Sequence, residues 1–242
     1  WYWFFYNSKF KKLKETRIIK ESLQLADKIY FPTFVKNKIL SNTYLKFQET
    51  NLIFNRNIFQ EGTNEFFKST NTYKCLIMDN GTKTNSNLIQ QTIKYLKNMP
   101  HIDFYISVDN FSDELKTFVA QQKNLIPIQG LKNMHRLIAF VDFLVARGGF
   151  NTITEILIFK KPALLIDEKN NPEIKANLDQ MQKFNYCSIM KQSSFKNNFE
   201  KKINYFIKKE VNKIKNNLSR KKIQSNGANQ IVQNIIKDYE KN

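Results

Sequence analysis

Cysteine and histidine are scarce in this sequence, and their scarcity excludes several kinds of protein. Only two cysteines occur, Cys75 and Cys187, and both lie in apolar runs. So sparse a pair forms no disulfide framework and lacks the spacing of a zinc site, so we expect two core thiols in a reducing compartment. The two histidines belong to no Ser–His–Asp or metal constellation. We expect His101 in a solvated loop and His135 on a helix surface, with contact to a substrate as the alternative for His135.

The first residues form the aromatic run 1–6, Trp-Tyr-Trp-Phe-Phe-Tyr. This run is far too short to span a bilayer and no basic region precedes it, so it is neither a transmembrane helix nor a signal peptide. Because the first residue is not Met, we expect a fragment that begins inside a longer protein. The aromatic run would then be a core or interface segment of a domain that is mostly missing.

Acidic residues are outnumbered, with 21 Asp and Glu against 39 Lys and Arg, which gives a formal net charge of +18. Such a charge favours anionic partners: nucleic acid, acidic lipid surfaces or phosphorylated substrates. AT-rich coding is the alternative cause, since Lys, Asn, Ile and Phe are all abundant. Lys and Arg interleave with aromatic residues in 1–20 and 195–222, as in some nucleic-acid binders. They fall all round the predicted helices, however, which is typical of a solvated surface, so no nucleic-acid partner is expected.

Hydrophobic residues make up 41% of the chain, enough for a sizeable core. Apolar runs typical of buried strands alternate with segments of helical periodicity from residue 73 onward. The predicted strands are 73–78, 102–107, 125–128, 142–145, 163–166 and 186–190; the predicted helices are 85–97, 112–122, 134–140, 152–159 and 173–184. This alternation predicts an α/β fold, a Rossmann-like parallel sheet with helices on both faces. Ligands are then expected outside the carboxyl ends of the strands, in the loops after residues 78, 128, 145 and 166.

Residues 1–70 have a different pattern, which resembles the last βα units of a preceding domain plus a linker. Helices are predicted over 15–27 and 34–45, strands over 28–31 and 51–54, and a connection at Gly62 and 69–71. The tail from residue 195 is mostly helical and basic, with a break at Asn226-Gly227. We therefore predict an N-terminal domain end and linker over 1–70, a ligand-binding domain over 71–218, and a C-terminal helix in 219–242 that packs back toward the N-terminal part.

The segment 145–157 carries the clearest chemical signal. A predicted strand ends at Arg147, Gly148 and Gly149 follow, and a helix begins. Glycine lets the backbone turn sharply and a phosphate approach closely, and a helix N-terminus offers free N–H donors and the positive end of its dipole. Asn151 and Thr152 add side-chain donors. Together these residues predict a diphosphate cradle, although paired glycines alone also mark ordinary turns.

Glu155 follows one turn into the same helix. Its carboxylate can accept hydrogen bonds from the two hydroxyls of a ribose. The competing interpretation is a capping box, because Thr152-x-x-Glu155 also fits the pattern in which the glutamate bonds the helix backbone.

A second polar loop follows the apolar strand that Lys161-Pro162 opens. A helix is predicted to start near Pro172, which suits the first helical turn. Asn171, Glu173 and Asn177 lie near that start. Taken singly, Asn171 is explained as the N-cap of the helix and Asn177 as a solvated side chain.

In this order the two segments resemble the donor-binding half of the family 28 glycosyltransferases of the GT-B type, relatives of the N-acetylglucosaminyltransferase that completes peptidoglycan lipid II. Residues 142–152 match the pattern strand–(S/A)RxG–(A/G)NT, and Glu155 falls on the ribose-binding glutamate. Lys161-Pro162 opens the second part of the family pattern. Asn171 and Asn177 fall on its flanking polar positions.

Weaker likeness extends over residues 73–240. The loop from Gly130 to Met134 resembles the one that brackets the uracil, and Asn226-Gly227-Ala228 resembles the start of the family's C-terminal helix. Two positions depart from the pattern. Glu173 stands where the family usually has Gln. A carboxylate accepts hydrogen bonds but cannot donate them as the amide of Gln does, so we expect a different sugar preference. The loop 79–84 has one glycine where the family is often glycine-rich, and it is not a P-loop.

The resemblance implies a UDP-sugar donor as substrate, an inverting transfer, and neither a cofactor nor an obligatory metal. It implies a membrane-linked or glycan acceptor, with the general base and acceptor pocket in the N-terminal domain. The basic surface suits a cytoplasmic enzyme held peripherally at the anionic inner face of the plasma membrane. Three alternatives stay open: a UDP-sugar hydrolase of nonulosonic acid synthesis, a non-catalytic UDP-sugar-binding subunit, and the basic nucleic-acid binder.

Overall fold

The computed structural model describes residues 21, 25–32, 47–54, 73–78, 83–130, 134–168, 171–223 and 226–240. The aromatic run 1–6, the predicted helix 34–45, the connection at Gly62 and 69–71, residues 79–82 and most of the predicted helix 15–27 lie outside that description. The chain divides into two compact units, Trp1–Gln60 with Lys222–Asn242, and Glu61–Lys221. The assignment of these parts to acceptor and donor sides stays a prediction.

The unit Glu61–Lys221 is built on six parallel strands. They are β3 (Tyr73–Ile77), β4 (Ile102–Ser107), β5 (Leu125–Ile128), β6 (Phe143–Arg147), β7 (Ala163–Asp167) and β8 (Ser188–Lys191). Their order across the sheet is β5-β4-β3-β6-β7-β8. Counted from the first strand of the unit this is 3-2-1-4-5-6, the doubly wound order in which each half grows outward from the centre. The parallel α/β sheet predicted from the sequence is confirmed.

Helices connect the strands in turn. They are α1 (Lys83–Leu96), α2 (Asp113–Ala120), α3 (Met134–Phe140), α4 (Phe150–Phe159), α5 (Pro172–Lys183), α6 (Gln192–Tyr205) and α7 (Val211–Arg220), with a π-helical turn at Phe206–Glu210 between α6 and α7. On one face α6 packs against α1 and the strands β7 and β8; on the other, α3, α4 and α5 pack side by side. The sheet is therefore covered on both sides.

Buried aromatic rings mark the two layers of the core. Phe143 on β6 meets Phe206 of the π-helical turn, with ring centroids 5.6 Å apart. Tyr105 on β4 meets Phe140 of α3 edge-on at 5.7 Å. Both cysteines are buried free thiols, as expected, and burial raises the pKa of Cys187 to about 12. Strands this apolar stay in the sheet centre because each side faces a helix layer.

Several predicted boundaries shift for local reasons. Helix α2 ends at Ala120, short of the predicted residue 122, and Ser112 is its N-cap, with Oγ accepting from Leu115 N. Strand β6 starts at Phe143, one residue after its predicted start; Asp142 before it bonds Lys74 twice, with N donating to Lys74 O at 2.9 Å and Oδ2 accepting from Lys74 N at 2.8 Å. Helix α4 begins at Phe150, two residues before its predicted start, with consequences for the site.

The other unit contains a parallel pair of strands, β1 (Ile29–Pro32) and β2 (Phe47–Thr50), and the helix α8 (Gly227–Tyr239). The strand predicted over 51–54 is wrong. There the backbone bonds α8 instead: Asn51 N donates to Gln230 Oε1 at 2.8 Å, and Leu52 O accepts from Gly227 N at 2.9 Å. A Cβ at Gly227 would lie 2.0 Å from Asn51 O, so only glycine permits this approach.

Candidate functional site

The direction of strand order changes between β3 and β6, which pair in the middle of the sheet. Doubly wound sheets usually bind ligands at the carboxyl ends of the two strands where the order changes. Residues 79–82, at the end of β3, lie outside the described part of the chain. The loop Gly148-Gly149 after β6, which leads into α4, is described in full.

Gly148 is held tightly by α5. A Cβ added at Gly148 would lie 2.7 Å from Leu178 Cδ2 and 3.1 Å from Leu178 Cγ. Asn177 donates from Nδ2 to Gly148 O at 3.1 Å. Its interpretation as a solvated side chain is wrong, since Asn177 is 3% exposed. The amide fastens the glycine loop to α5, and this fixes where the backbone of the loop lies.

Gly149 is the N-cap of α4, with an extended backbone (φ −67°, ψ 152°) and no capping side chain. The first intrahelical bond runs from Ile153 N to Gly149 O at 3.0 Å. The capping-box interpretation is therefore wrong, because Thr152 lies three positions inside the helix and is 5% exposed. Asn151, one residue earlier, is exposed. Gly149 has no side chain to cap this end of α4, where the helix dipole is positive.

Glu155 lies one turn further along α4 and faces α3. Its Oε1 is 3.4 Å from His135 Nε2, and the two side chains are 20% and 31% exposed. Burial raises the pKa of Glu155, and the nearby His135 opposes that rise. His135 lies on α3 with a partly exposed side chain, and its contact with Glu155 was not predicted. No sequence pattern pairs residues twenty positions apart on successive helices, so this contact depends on how α3 packs on α4.

Arg147, the last residue of β6, forms an ion pair with Glu168. The Nε–Oε2 distance is 2.6 Å, and the side chains are 19% and 15% exposed. Glu168 follows β7, the neighbour of β6, so both residues lie at the carboxyl edge of the sheet. Sequence reasoning missed Glu168; its place directly after a buried strand is the signal that would have indicated it.

The remaining predicted site residues lie in two other loops. Asn171 caps α5, with Oδ1 accepting from Ile174 N at 3.2 Å, which confirms its interpretation as an N-cap. Glu173 is half-buried in the first turn of α5. Gly130 follows β5 with a left-handed backbone (φ 59°), which glycine adopts without strain, and its N–H donates to Asp109 Oδ1 at 3.0 Å. Met134 begins α3.

Over the described ranges, no cluster of three or more His, Cys, Asp or Glu side chains is arranged to hold a metal ion. Within the same ranges, no helix combines the length and apolar character needed to cross a membrane.

A doubly wound sheet with a glycine loop and an uncapped helix at its switch point defines the kind of α/β domain that GT-B glycosyltransferases use. The comparisons with known proteins agree. Residues 64–237 match the glycosyltransferase family 28 C-terminal domain. The chain belongs to this family.

Individual relatives are distant. Over 134 residues the chain is 24% identical to the UDP-N-acetylglucosamine–N-acetylmuramyl-(pentapeptide) pyrophosphoryl-undecaprenol N-acetylglucosamine transferase of Thermosipho melanesiensis, a match of 54% of this chain and 39% of that protein. Among solved structures, Acinetobacter baumannii MurG superposes with a TM-score of 0.60 at 14% identity, over 90% of this chain and 62% of that one. The glycosyltransferase of kitacinnamycin gives 0.62 at 12%, over 79% and 48%. The likeness to these structures shows the fold, and the chain spans well under two thirds of the length of the curated relative.

Proposed function

We propose that this chain binds the UDP-sugar donor of an inverting, metal-independent glycosyl transfer for a cell-envelope glycan or glycolipid. One observation carries the proposal: the half-buried carboxylate of Glu155 lies one turn into the helix that an uncapped glycine loop begins at the switch point. A nucleotide needs an anion site and a ribose acceptor within a few ångströms of each other, and one helix N-terminus supplies both.

The diphosphate would bind at the start of α4. The positive end of the helix dipole favours anions, and the missing Cβ at Gly149 leaves room, since nothing lies within 4 Å of where it would be. Arg147 supplies a full positive charge nearby. Its pairing with Glu168 holds the guanidinium at the carboxyl edge of the sheet while partly neutralising it.

The ribose would then lie against Glu155, whose ionised carboxylate accepts hydrogen bonds from both hydroxyls. The uracil would lie toward the loop from Gly130 to Met134. Asn171 and Glu173, at the start of α5, would face the sugar. Asn177 would contribute by fixing the glycine loop, because its amide is already bonded to Gly148 O.

In the proposed transfer, an acceptor hydroxyl oxygen bonds the anomeric carbon from the side opposite UDP. The bond from that carbon to the β-phosphate oxygen breaks, and its electron pair leaves with UDP. The hydroxyl proton passes to a general base, which we expect in the N-terminal domain. The part played by this chain is electrostatic: N–H donors aimed at the diphosphate stabilise the charge that builds up on the leaving group.

The acceptor is proposed to be membrane-linked or a glycan, with the protein peripheral at the cytoplasmic face of the plasma membrane. The excess of Lys and Arg, 39 against 21 acidic residues, supports this, since each cation near an anionic leaflet contributes about 1 kcal/mol. Sedimentation with vesicles should show more binding to phosphatidylserine than to phosphatidylcholine at moderate salt. Equal binding to both would count against the membrane part of the proposal.

Calorimetric titration with UDP and with UDP-N-acetylglucosamine tests the donor site. Glu155→Ala should weaken binding by about 1.5–3 kcal/mol, the usual contribution of a hydrogen bond to a charged group. Glu200→Ala is the matched control, since it removes an exposed carboxylate from α6. A folded wild-type chain that binds no uridine nucleotide would refute the proposal, and tight RNA binding in its place would favour the nucleic-acid alternative. Release of free sugar without an acceptor would favour the hydrolase.

A further inference from the structure

Two contacts from α4 fix the imidazole of His135. Its Nε2 lies 3.4 Å from Oε1 of Glu155. Its ring stacks on Phe159, with centroids 6.0 Å apart and planes 29° from parallel. Phe159 lies four residues after Glu155, so both side chains project from the same face of the helix. The imidazole of His135 is thus held against α4, with the ring of Phe159 on its face and the carboxylate of Glu155 at its Nε2 edge.

Among the described residues, His135 is the one hydrogen-bonding or ion-pair partner of Glu155. A carboxylate at 20% exposure is disfavoured in its charged form, and burial raises its pKa. The neutral acid would carry one proton and so offer fewer acceptor sites to a ribose. An imidazole donor at Oε1 opposes the effect of burial and leaves the rest of the carboxylate open.

We propose that His135 is the positioning residue for nucleotide recognition: it orients and keeps ionised the Glu155 carboxylate that receives the ribose hydroxyls, and its own protonation raises donor affinity. The inference rests on the proposed donor site. Nucleotide binding would cover the remaining exposed part of Glu155, and a carboxylate that becomes fully buried needs a counter-charge. A protonated imidazole would supply that counter-charge, so affinity should be higher at pH 5.5 than at pH 8.

Other charged groups on the surrounding elements do not act on the pKa of Glu155. They are Arg136 on α3, Lys74 on β3, Lys160 and Lys161 after α4, and Glu173, Lys175 and Asp179 on α5. Of all these groups and His135, only His135 acts on the pKa of Glu155. His101, the second histidine of the chain, precedes β4 and so lies at the opposite, amino edge of the sheet.

The test is the affinity for UDP-N-acetylglucosamine from pH 5.5 to 8 in the full chain. Each phosphate of this probe has one ester and one anhydride linkage, so neither titrates in that range. His135→Leu keeps an apolar surface for Phe159 but removes the donor, so affinity at pH 6 should fall about tenfold or more. His135→Gln retains an N–H donor without a charge. Its affinity should stay near that of the wild type at pH 8 and should not rise toward pH 5.5.

The variants separate the inference from the function on which it rests. If Glu155→Ala binds as tightly as the wild type, the donor site itself is wrong. If Glu155→Ala fails to bind while His135→Leu binds normally, only the inference is overturned. Thermal unfolding checks that His135→Leu is folded. Should it not fold, His135→Gln decides: a flat pH profile supports the inference, and the wild-type profile refutes it.

Discussion

The loop that separates β6 from α4 offers a matched pair of substitutions. Gly148→Ala would place a Cβ 2.7 Å from Leu178 Cδ2 and 3.1 Å from its Cγ, while Gly149→Ala would meet nothing within 4 Å. Leu178 is fully buried, so it cannot simply swing away. Neither glycine has a positive φ, so backbone strain does not contribute at either site.

The difference between the two variants isolates the steric effect. Replacing glycine by alanine restricts the unfolded chain by about 0.4–1 kcal/mol at each position, and this part cancels between neighbours. Extra volume in a packed core costs about 1–3 kcal/mol. Gly148→Ala should therefore be less stable than Gly149→Ala by about 1–3 kcal/mol. Gly149→Ala itself should be close to neutral, because the gain from a stiffer unfolded chain is opposed by the loss of glycine at the N-cap of α4.

Urea unfolding followed by far-ultraviolet circular dichroism measures this difference. For a unit of this size, 1 kcal/mol also corresponds to a shift of about 2–4 °C in Tm. Equal midpoints for the two variants would refute the packing of α5 against the loop. The same result would remove the basis for a backbone fixed at the diphosphate site.

Three further predictions each concern a single polar side chain. Asn177→Asp should destabilise the fold by about 1–3 kcal/mol in urea unfolding and more than Asn177→Ala, because it turns a carboxylate toward a backbone carbonyl; equal losses would contradict the bond to the loop. Lys161 Nζ donates to Ala139 O at 2.6 Å and to Val141 O at 2.7 Å, at the C-terminal end of α3, so Lys161→Met should lower stability by about 1–3 kcal/mol while the exposed Lys160→Met changes little. Burial raises the folded pKa of Glu155, so its contribution to stability is present below the unfolded pKa and lost as pH rises through the folded pKa. Glu155→Gln should therefore have a higher Tm than the wild type at neutral pH but not at acidic pH, and a Tm lowered at both would oppose this.

The bounds of an element were predicted correctly where its own residues determine them. Strand β4 and helix α3 have their predicted bounds, because an uninterrupted buried run and a short amphipathic repeat each leave one arrangement. The start of α4 was predicted two residues late, since Thr152 matches a capping pattern that Gly149 makes unnecessary. Residues 51–54 have an apolar pattern typical of a strand, but the side chain and backbone of α8 bond them instead. The conformation of residues 51–54 therefore depends on contacts with α8, 179 positions away in the case of Asn51 and Gln230.

In the candidate site, too, features that lie within one element were predicted, and contacts between two elements were not. The glycine loop and Glu155 were predicted because their spacing along one strand and one helix suffices. The pairs His135–Glu155 and Arg147–Glu168 join different elements, and sequence periodicity gives the faces of elements but not their neighbours. The prediction that Asn177 is solvated was wrong for a related reason. A polar residue inside a helix is solvated by default unless a backbone carbonyl from another segment lies against it.

The bond between Asn51 and Gln230 spans 179 positions of sequence, with a consequence for the order of folding. The unit Glu61–Lys221 is continuous, so a ribosome has delivered all its strands before α8 is made. The unit that holds β1 and β2 also contains α8, which follows Glu61–Lys221 in the sequence, so it is completed only after that segment has been made. During translation the six-stranded sheet can therefore form first, while β1 and β2 wait for a helix that is made after it.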